Sequence, residues 1–319
     1  GKEDEIIKLV EGGNISFPSN NSLVRGASSL FGLRTDLQFG KLKLQTVLSQ
    51  KKSNSKSVSS KGGVQLTPFE IDVADYEENR HFFLSQYFRS RYDDAMKTLP
   101  NVLTGININR IEVWVTNKTG TTTNTRDIIA LADLGEGSPN VLPSNSSNNI
   151  YNNVKSLPNV RDIDQASQAL QGIGMSGGSD FEKLSSARLL NSSEYTINKE
   201  LGYISLKTAL QTDQVLAVAL EYTAGGVTYQ VGEFASDIND VNSALIVKSL
   251  KNTSNNPHQS NWGLMMKNVY YLASSVQKEK FRLDVKFQSD TAGVYISYIP
   301  EPQVKDMTII KLLGADRLD

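Results

Sequence analysis

The sequence predicts an α+β chain: β-rich mixed sheets, sandwich-like or plainly mixed, with a few helices, preceded by an N-terminal β-hairpin. Three observations predict it. Leu30 to Gln50 alternates with period two on both sides of a tight Phe39-Gly40-Lys41 corner. Asp75 to Leu99 carries an apolar stripe at three-to-four spacing. From Tyr195 onward, short apolar runs alternate with turn residues. Period two reads as half-buried strand and a spacing of three to four as helix.

The hairpin comes first. Leu33, Thr35, Leu37 and Phe39 share one face of its first arm, with Arg34, Asp36 and Gln38 on the other. Leu42, Leu44, Thr46 and Leu48 share a face of the second arm, opposite Lys41, Lys43 and Gln45. Each arm is about nine to eleven residues, enough for a soluble hairpin over a core or for a tilted strand across a bilayer. The short apolar stretch Ile6 to Val10 leads into it as a strand or turn. Residues 51 to 63 are rich in Ser and Lys. Six lysines and no acid fall between Lys41 and Lys61, and five acids between Glu70 and Glu78. A solvated loop is expected there, with a headgroup-binding patch as the sharper alternative.

Asp75 is the expected helix cap, with Glu78 reaching back to it. Leu84, Phe88, Tyr92, Ala95 and Met96 form the stripe, and Pro100 follows. Ile106 to Asn117 alternates as a strand, with a phase slip at Asn109-Arg110 that a β-bulge explains. Asp127 to Leu134 is expected to pair with it as a long-looped hairpin. Residues 135 to 160, mostly Gly, Pro, Ser and Asn, read as a surface loop or boundary. Two short helices are expected at Asp162 to Gln171 and Asp180 to Leu190. Strands are expected at 195–198, 203–206, 215–223, 227–233, 244–250, 264–272, 281–287 and 293–298. The expected divisions are 1–63 (hairpin region, candidate barrel strands), 64–140 (α+β), 141–302 (β-rich with two short helices) and 303–319 (exit segment).

Composition sets the limits. At 319 residues the chain can bury a real core, and a net charge of -1 offers no general field for nucleic acid or anionic lipid. The absence of cysteine excludes disulfides, thiolate catalysis and zinc–cysteine sites within it. No signal-peptide pattern opens it, and its longest apolar run, Val215 to Leu220, is far below the ~20 residues of a spanning helix. An excised piece of a larger protein is expected.

Chemistry-bearing patterns are sparse. His81 and His258 have no constellation in sequence and read as surface or packing residues, so neither a metal site nor a Ser-His-Asp set is expected. Gly172 to Gly178 lacks the Lys-Ser/Thr ending of a phosphate loop and reads as an interhelical turn. Asp237, Asn239 and Asp240 lack the full spacing of a calcium loop. No enzyme activity and no cofactor are expected. Trp114, Tyr203 and Trp262 are the candidate interaction surface, with packing of Trp114 against the helix as the other reading.

Four long segments carry a resemblance: Arg25 to Ser53, Phe69 to Arg89, Gly105 to Gly120 and Leu201 to Thr223. The stretch from Trp262 to Leu272 and the closing Leu312 to Asp319 fit as well. Together they resemble the SprA/Sov family of Bacteroidetes, very large outer-membrane proteins of gliding motility and type IX secretion. The resemblance implies a translocon, a giant β-barrel at the cell surface through which folded cargo leaves the periplasm. It implies as partners cargo with C-terminal sorting domains, a smaller outer-membrane barrel and a periplasmic plug protein, and it implies no catalytic residues. If Phe39-Gly40-Lys41 is a periplasmic turn, the roughly 240 residues from Gly62 to Glu301 become an extracellular cap or rim insertion. The competing class is a cell-surface adhesin or glycan-binding module.

Overall fold

A computed structural model describes residues 6–17, 27–39, 42–49, 69–97, 101–138, 140–254, 256–273, 281–288 and 295–313. Gly40 and Lys41 of the corner, the Ser/Lys-rich stretch 51–63, Pro100 and residues 314–319 of the closing motif lie outside the described residues. The chain divides into two compact units, Gly1–Glu70 and Ile71–Asp319.

The first unit is a three-stranded antiparallel sheet in the order β1 (Ile7–Phe17), β2 (Ala27–Phe39), β3 (Leu42–Ser49). Phe39 faces Leu42, Leu37 faces Leu44 and Thr35 faces Thr46, so the expected hairpin forms, with Phe39 of the expected corner belonging to β2. The segment leading into it becomes a third strand, in which Val10 lies opposite Thr35.

In the second unit, β4 (His81–Phe83) precedes α1 (Gln86–Met96). The helix therefore starts later than Asp75. Asn79 stands in the left-handed region at φ 59, which interrupts any helix begun upstream. Phe82 on the following strand and Leu84 just after it are fully buried. Ser85 is the cap, its hydroxyl accepting from Phe88 N–H at 3.4 Å.

The main sheet contains β5 (Ile106–Val115), β6 (Thr125–Leu131), β7 (Phe181–Leu189), β10 (Leu216–Ala224), β11 (Val227–Val231) and β12 (Leu245–Lys251). Between them run α2 (Ile150–Lys155), α3 (Ala166–Gly172), β8 (Tyr195–Asn198) and β9 (Tyr203–Leu206). The order is β11-β10-β12-β6-β7-β5, and β5 pairs again with β10, so the sheet closes on itself. One edge of β10 is shared: Leu216 to Val218 pair with β12, and Leu220 to Ala224 with β11. The β12–β6 pairing is parallel and the others antiparallel, which makes the sheet mixed.

Closure explains the sequence pattern. Trp114, Ile128, Ala130, Leu184, Ala187, Ala217, Ala219, Leu245 and Val247 fill the inside, together with Phe234. Ala217 lies directly opposite Trp114 and leaves room for the indole. Val113, Val115, Ile129, Leu131, Leu216, Val218, Leu220 and Ile246 face outward, under Phe82, Leu84, Phe88, Val154 and Leu170. Strands buried on both faces read as unbroken apolar runs, which is why Val215 to Leu220 is the longest in the chain.

Several expectations change. The Asn109-Arg110 bulge is present: Arg110 pairs with Glu221 and Ile108 with Tyr222, leaving Asn109 over. β5 and β6 do not form a hairpin, because β7 lies between them. Residues 180–190 form β7 rather than a helix. Leu184 and Ala187 point to the same face because Ser186, at φ 52, forms a bulge whose N–H donates to Asp127 Oδ1 at 2.7 Å. That bulge produces a helix-like spacing of three. Gly172 to Gly178 is therefore a turn between helix and strand. The division expected at 140/141 falls between strands that share one sheet, and residues 135–160 contribute α2 and the buried Val154 and Val160. The expected strand at 264–272 is a 3-10 turn, Ser260–Leu264, followed by a single bridge from Met265 to Phe82. Among the described residues, the last expected strands are represented by a short antiparallel pair, β13 (Phe287–Gln288) and β14 (Tyr295–Ile296), before α4 (Ile309–Leu312). No described helix is long and apolar enough to cross a membrane.

Candidate functional site

The β4-β9-β8 sheet presents the chemically richest face of the second unit. His81 lies opposite Ser205 and Phe83 opposite Tyr203, which puts all four side chains on one side. Phe83, Tyr203 and Tyr92 of α1 form an edge-to-face cluster with centroids 5.3 to 6.4 Å apart. Burial, then the neighbouring Tyr203 and Asp93, pushes the Tyr92 pKa up. Beside the rings, His81 Nδ1 lies 2.8 Å from Ser205 Oγ and Nε2 lies 2.9 Å from Glu77 Oε2. Arg80 pairs with Glu77, and its Nε donates to the Leu206 carbonyl at 2.8 Å.

The three residues singled out from sequence do not converge. Trp114 is 1% exposed and fills the inside of the closed sheet, so it is no interaction surface. It also faces away from α1, since the outward face of β5 belongs to Val113 and Val115. Tyr203 is half-buried in the aromatic cluster. Trp262 is half-buried on the 3-10 turn, with the Lys267 ammonium 4.4 Å from its ring centroid. Lys267 also donates to the carbonyls of Trp262 and Met265, and burial, then Arg89, lowers its pKa. His258 lies exposed in its loop. His81 does have a constellation, contrary to expectation. Its partner Glu77 is four residues upstream, but Ser205 arrives only through strand pairing, which the sequence does not display.

Two buried ion pairs lock the loops onto the closed sheet. Glu233 accepts from Arg161, from the Tyr151 hydroxyl at 2.8 Å and from Ile246 N–H at 2.8 Å. Lys248, fully buried, lies 2.7 Å from Glu136, which also accepts from Gln86 N–H at the start of α1. Asp237 pairs with Arg110. Among the described residues, no group of three His, Asp or Glu side chains could hold a metal ion.

The first unit carries a different surface. Val10, Thr35, Leu37, Phe39, Leu42, Leu44 and Thr46 share one face by register. Leu42 and Leu44 are 66% and 49% exposed, and Phe39 is exposed as well. The opposite face carries Arg34, paired with Asp36 at 2.7 Å, with Gln38 and Lys43. In the second unit Phe281, Leu283 and Phe287 are exposed on a segment that is strand only at Phe287–Gln288, and Arg282 pairs with Asp284.

Comparison with curated proteins finds no match. A profile of the SprA_N family, described as motility related/secretion protein, matches residues 2–212, which take in the first unit and the second as far as β9. Motility and secretion point to the cell envelope or surface as the place of work. A match over about two thirds of the chain, on both sides of the unit boundary, makes this protein a member of the SprA_N family of motility and secretion proteins.

Proposed function

We propose that the chain is part of an outer-membrane translocon that exports folded cargo in type IX secretion and gliding motility. The observation that carries this reading is the two-sided sheet of the first unit. An exposed apolar face backed by a charged, ion-paired face is what the wall of a membrane β-barrel requires, with lipid on one side and an aqueous lumen on the other. Its strands of 13 and 8 residues bracket the ~9–11 that a tilted strand needs.

In this reading the larger unit is an extracellular insertion that narrows or gates the external mouth. It acts by shape, through a closed sheet pinned by buried ion pairs, rather than by chemistry on the cargo. Its partners are cargo with C-terminal sorting domains, a smaller outer-membrane barrel and a periplasmic plug protein. Site-specific photo-crosslinking from Tyr203 and Trp262, in the full-length protein in secreting cells, tests it. Adducts with cargo or with the partner barrel are expected. Capture of surface polysaccharide instead would replace this reading with an adhesin.

A further inference from the structure

We infer that Ser205 is a nucleophile activated by His81 and Glu77, able to take an acyl group from an activated carboxylic ester. The inference does not depend on the translocon reading. It rests on three contacts. The hydroxyl and the imidazole are within hydrogen-bond distance at 2.8 Å. The other ring nitrogen meets a carboxylate at 2.9 Å. Arg80 holds that carboxylate and is itself anchored on the Leu206 carbonyl, one residue from the nucleophile. With the Nε2 proton given to Glu77, Nδ1 is the acceptor that the Ser205 hydroxyl needs. Nucleophile, base and orienter in hydrogen-bonded sequence are the geometric mark of this chemistry on any fold.

Ser205 is half-buried, and Tyr203 stands two residues away on the same face, beside Phe83 and Tyr92. An acyl or aryl group can lie against those rings. In the step, Oγ bonds to the carbonyl carbon and its proton passes to His81 Nδ1. The ester C–O bond then breaks, and the alcohol leaves with that proton. Water reverses the sequence and releases the acid. β9 is the central strand of its sheet, and the Leu206 N–H is already given to the Arg80 carbonyl at 2.8 Å. Backbone donors for an oxyanion are therefore committed elsewhere, and one missing donor lowers turnover by ~10²–10³. Both capture and release of the acyl group are then slow, so a covalent adduct read over long exposure, rather than turnover, is the expected signature.

The test uses a fluorophosphonate probe on the full chain, read by intact mass and peptide mapping. Here Oγ bonds to phosphorus, the P–F bond breaks, fluoride leaves and the proton goes to His81. One adduct on Ser205 is expected, absent from Ser205→Ala. The rate should fall ~10²-fold in His81→Ala and recover with free imidazole, which a purely structural histidine would not allow. Glu77→Gln should also slow it, and carries the test if His81→Ala does not fold. No adduct where a serine-hydrolase control is labelled, or wild-type labelling in both His81→Ala and Glu77→Gln, overturns the inference.

Discussion

Arg161 grips Glu233 through both terminal guanidinium nitrogens, at 2.5 and 2.6 Å, on a carboxylate whose side chain is only 5% exposed. Burial pushes the Glu233 pKa up, but the hydrogen bonds from Arg161 and Ile246, the charge of Arg161 and the Tyr151 hydroxyl outweigh it and hold the group below its ordinary 4.5. Glu233→Ala leaves Arg161 without its carboxylate, but that side chain keeps 27% exposure and can be rehydrated. It also strands the Tyr151 hydroxyl and Ile246 N–H, and the loss should be about 1–3 kcal/mol. The urea midpoint should fall with an unchanged slope. The pH dependence has a definite sign. A depressed folded-state value contributes stability that is complete above pH 4.5 and is lost as pH falls through the folded value. Glu233→Gln should remove that part of the acid loss, so urea midpoints of the two proteins should converge toward low pH.

Gly202 has a φ of +67, and a Cβ there would meet the Phe88 ring at 2.4 Å. Phe88 in turn packs edge-on against Tyr222 at 5.5 Å, so the ring has nowhere to go. Gly202→Ala should destabilise by about 1–3 kcal/mol from overpacking, on top of about 1–2 kcal/mol of left-handed strain, seen as a lower Tm. Gly225→Ala, where a Cβ meets open space at a similar φ, should lose only the left-handed strain, about 1–2 kcal/mol.

The Lys248–Glu136 pair should respond unequally to removal of either partner. Lys248 is fully buried, whereas Glu136 retains 14% exposure and the Gln86 N–H. Glu136→Ala leaves a buried ammonium with only the Leu134 carbonyl at 3.1 Å, and should cost about 3–5 kcal/mol. Lys248→Met keeps the volume and leaves a carboxylate that water can reach, so its loss should be smaller. Denaturation midpoints of the two variants compare them directly.

What the sequence displayed was local order with one period. The first-unit hairpin was legible because its register is fixed by alternation across a short corner. The Asn109 bulge was legible because it shifts that alternation by one residue. β7 was not, because the Ser186 bulge gives Leu184 and Ala187 a spacing of three. Closure of the sheet was not legible either, since β5 meets β10 across about a hundred residues of chain. The same cause hid the fate of Trp114, which alternation placed correctly opposite Val113 and Val115 but could not assign to the inside of a closed sheet. It also hid the His81–Ser205 contact, which only the β4–β9 register creates.

Lipid contact by the first unit decides whether its strands lie in a membrane. Single cysteines at Leu42, Lys43 and Leu44 of the full-length protein in its membrane would carry an environment-sensitive fluorophore, challenged by spin-labelled lipid and by aqueous iodide. The translocon account expects lipid quenching at positions 42 and 44 and iodide quenching at 43, following the faces set by the register. Iodide quenching at 42 and 44 with no response to lipid would take these strands out of the membrane and contradict it.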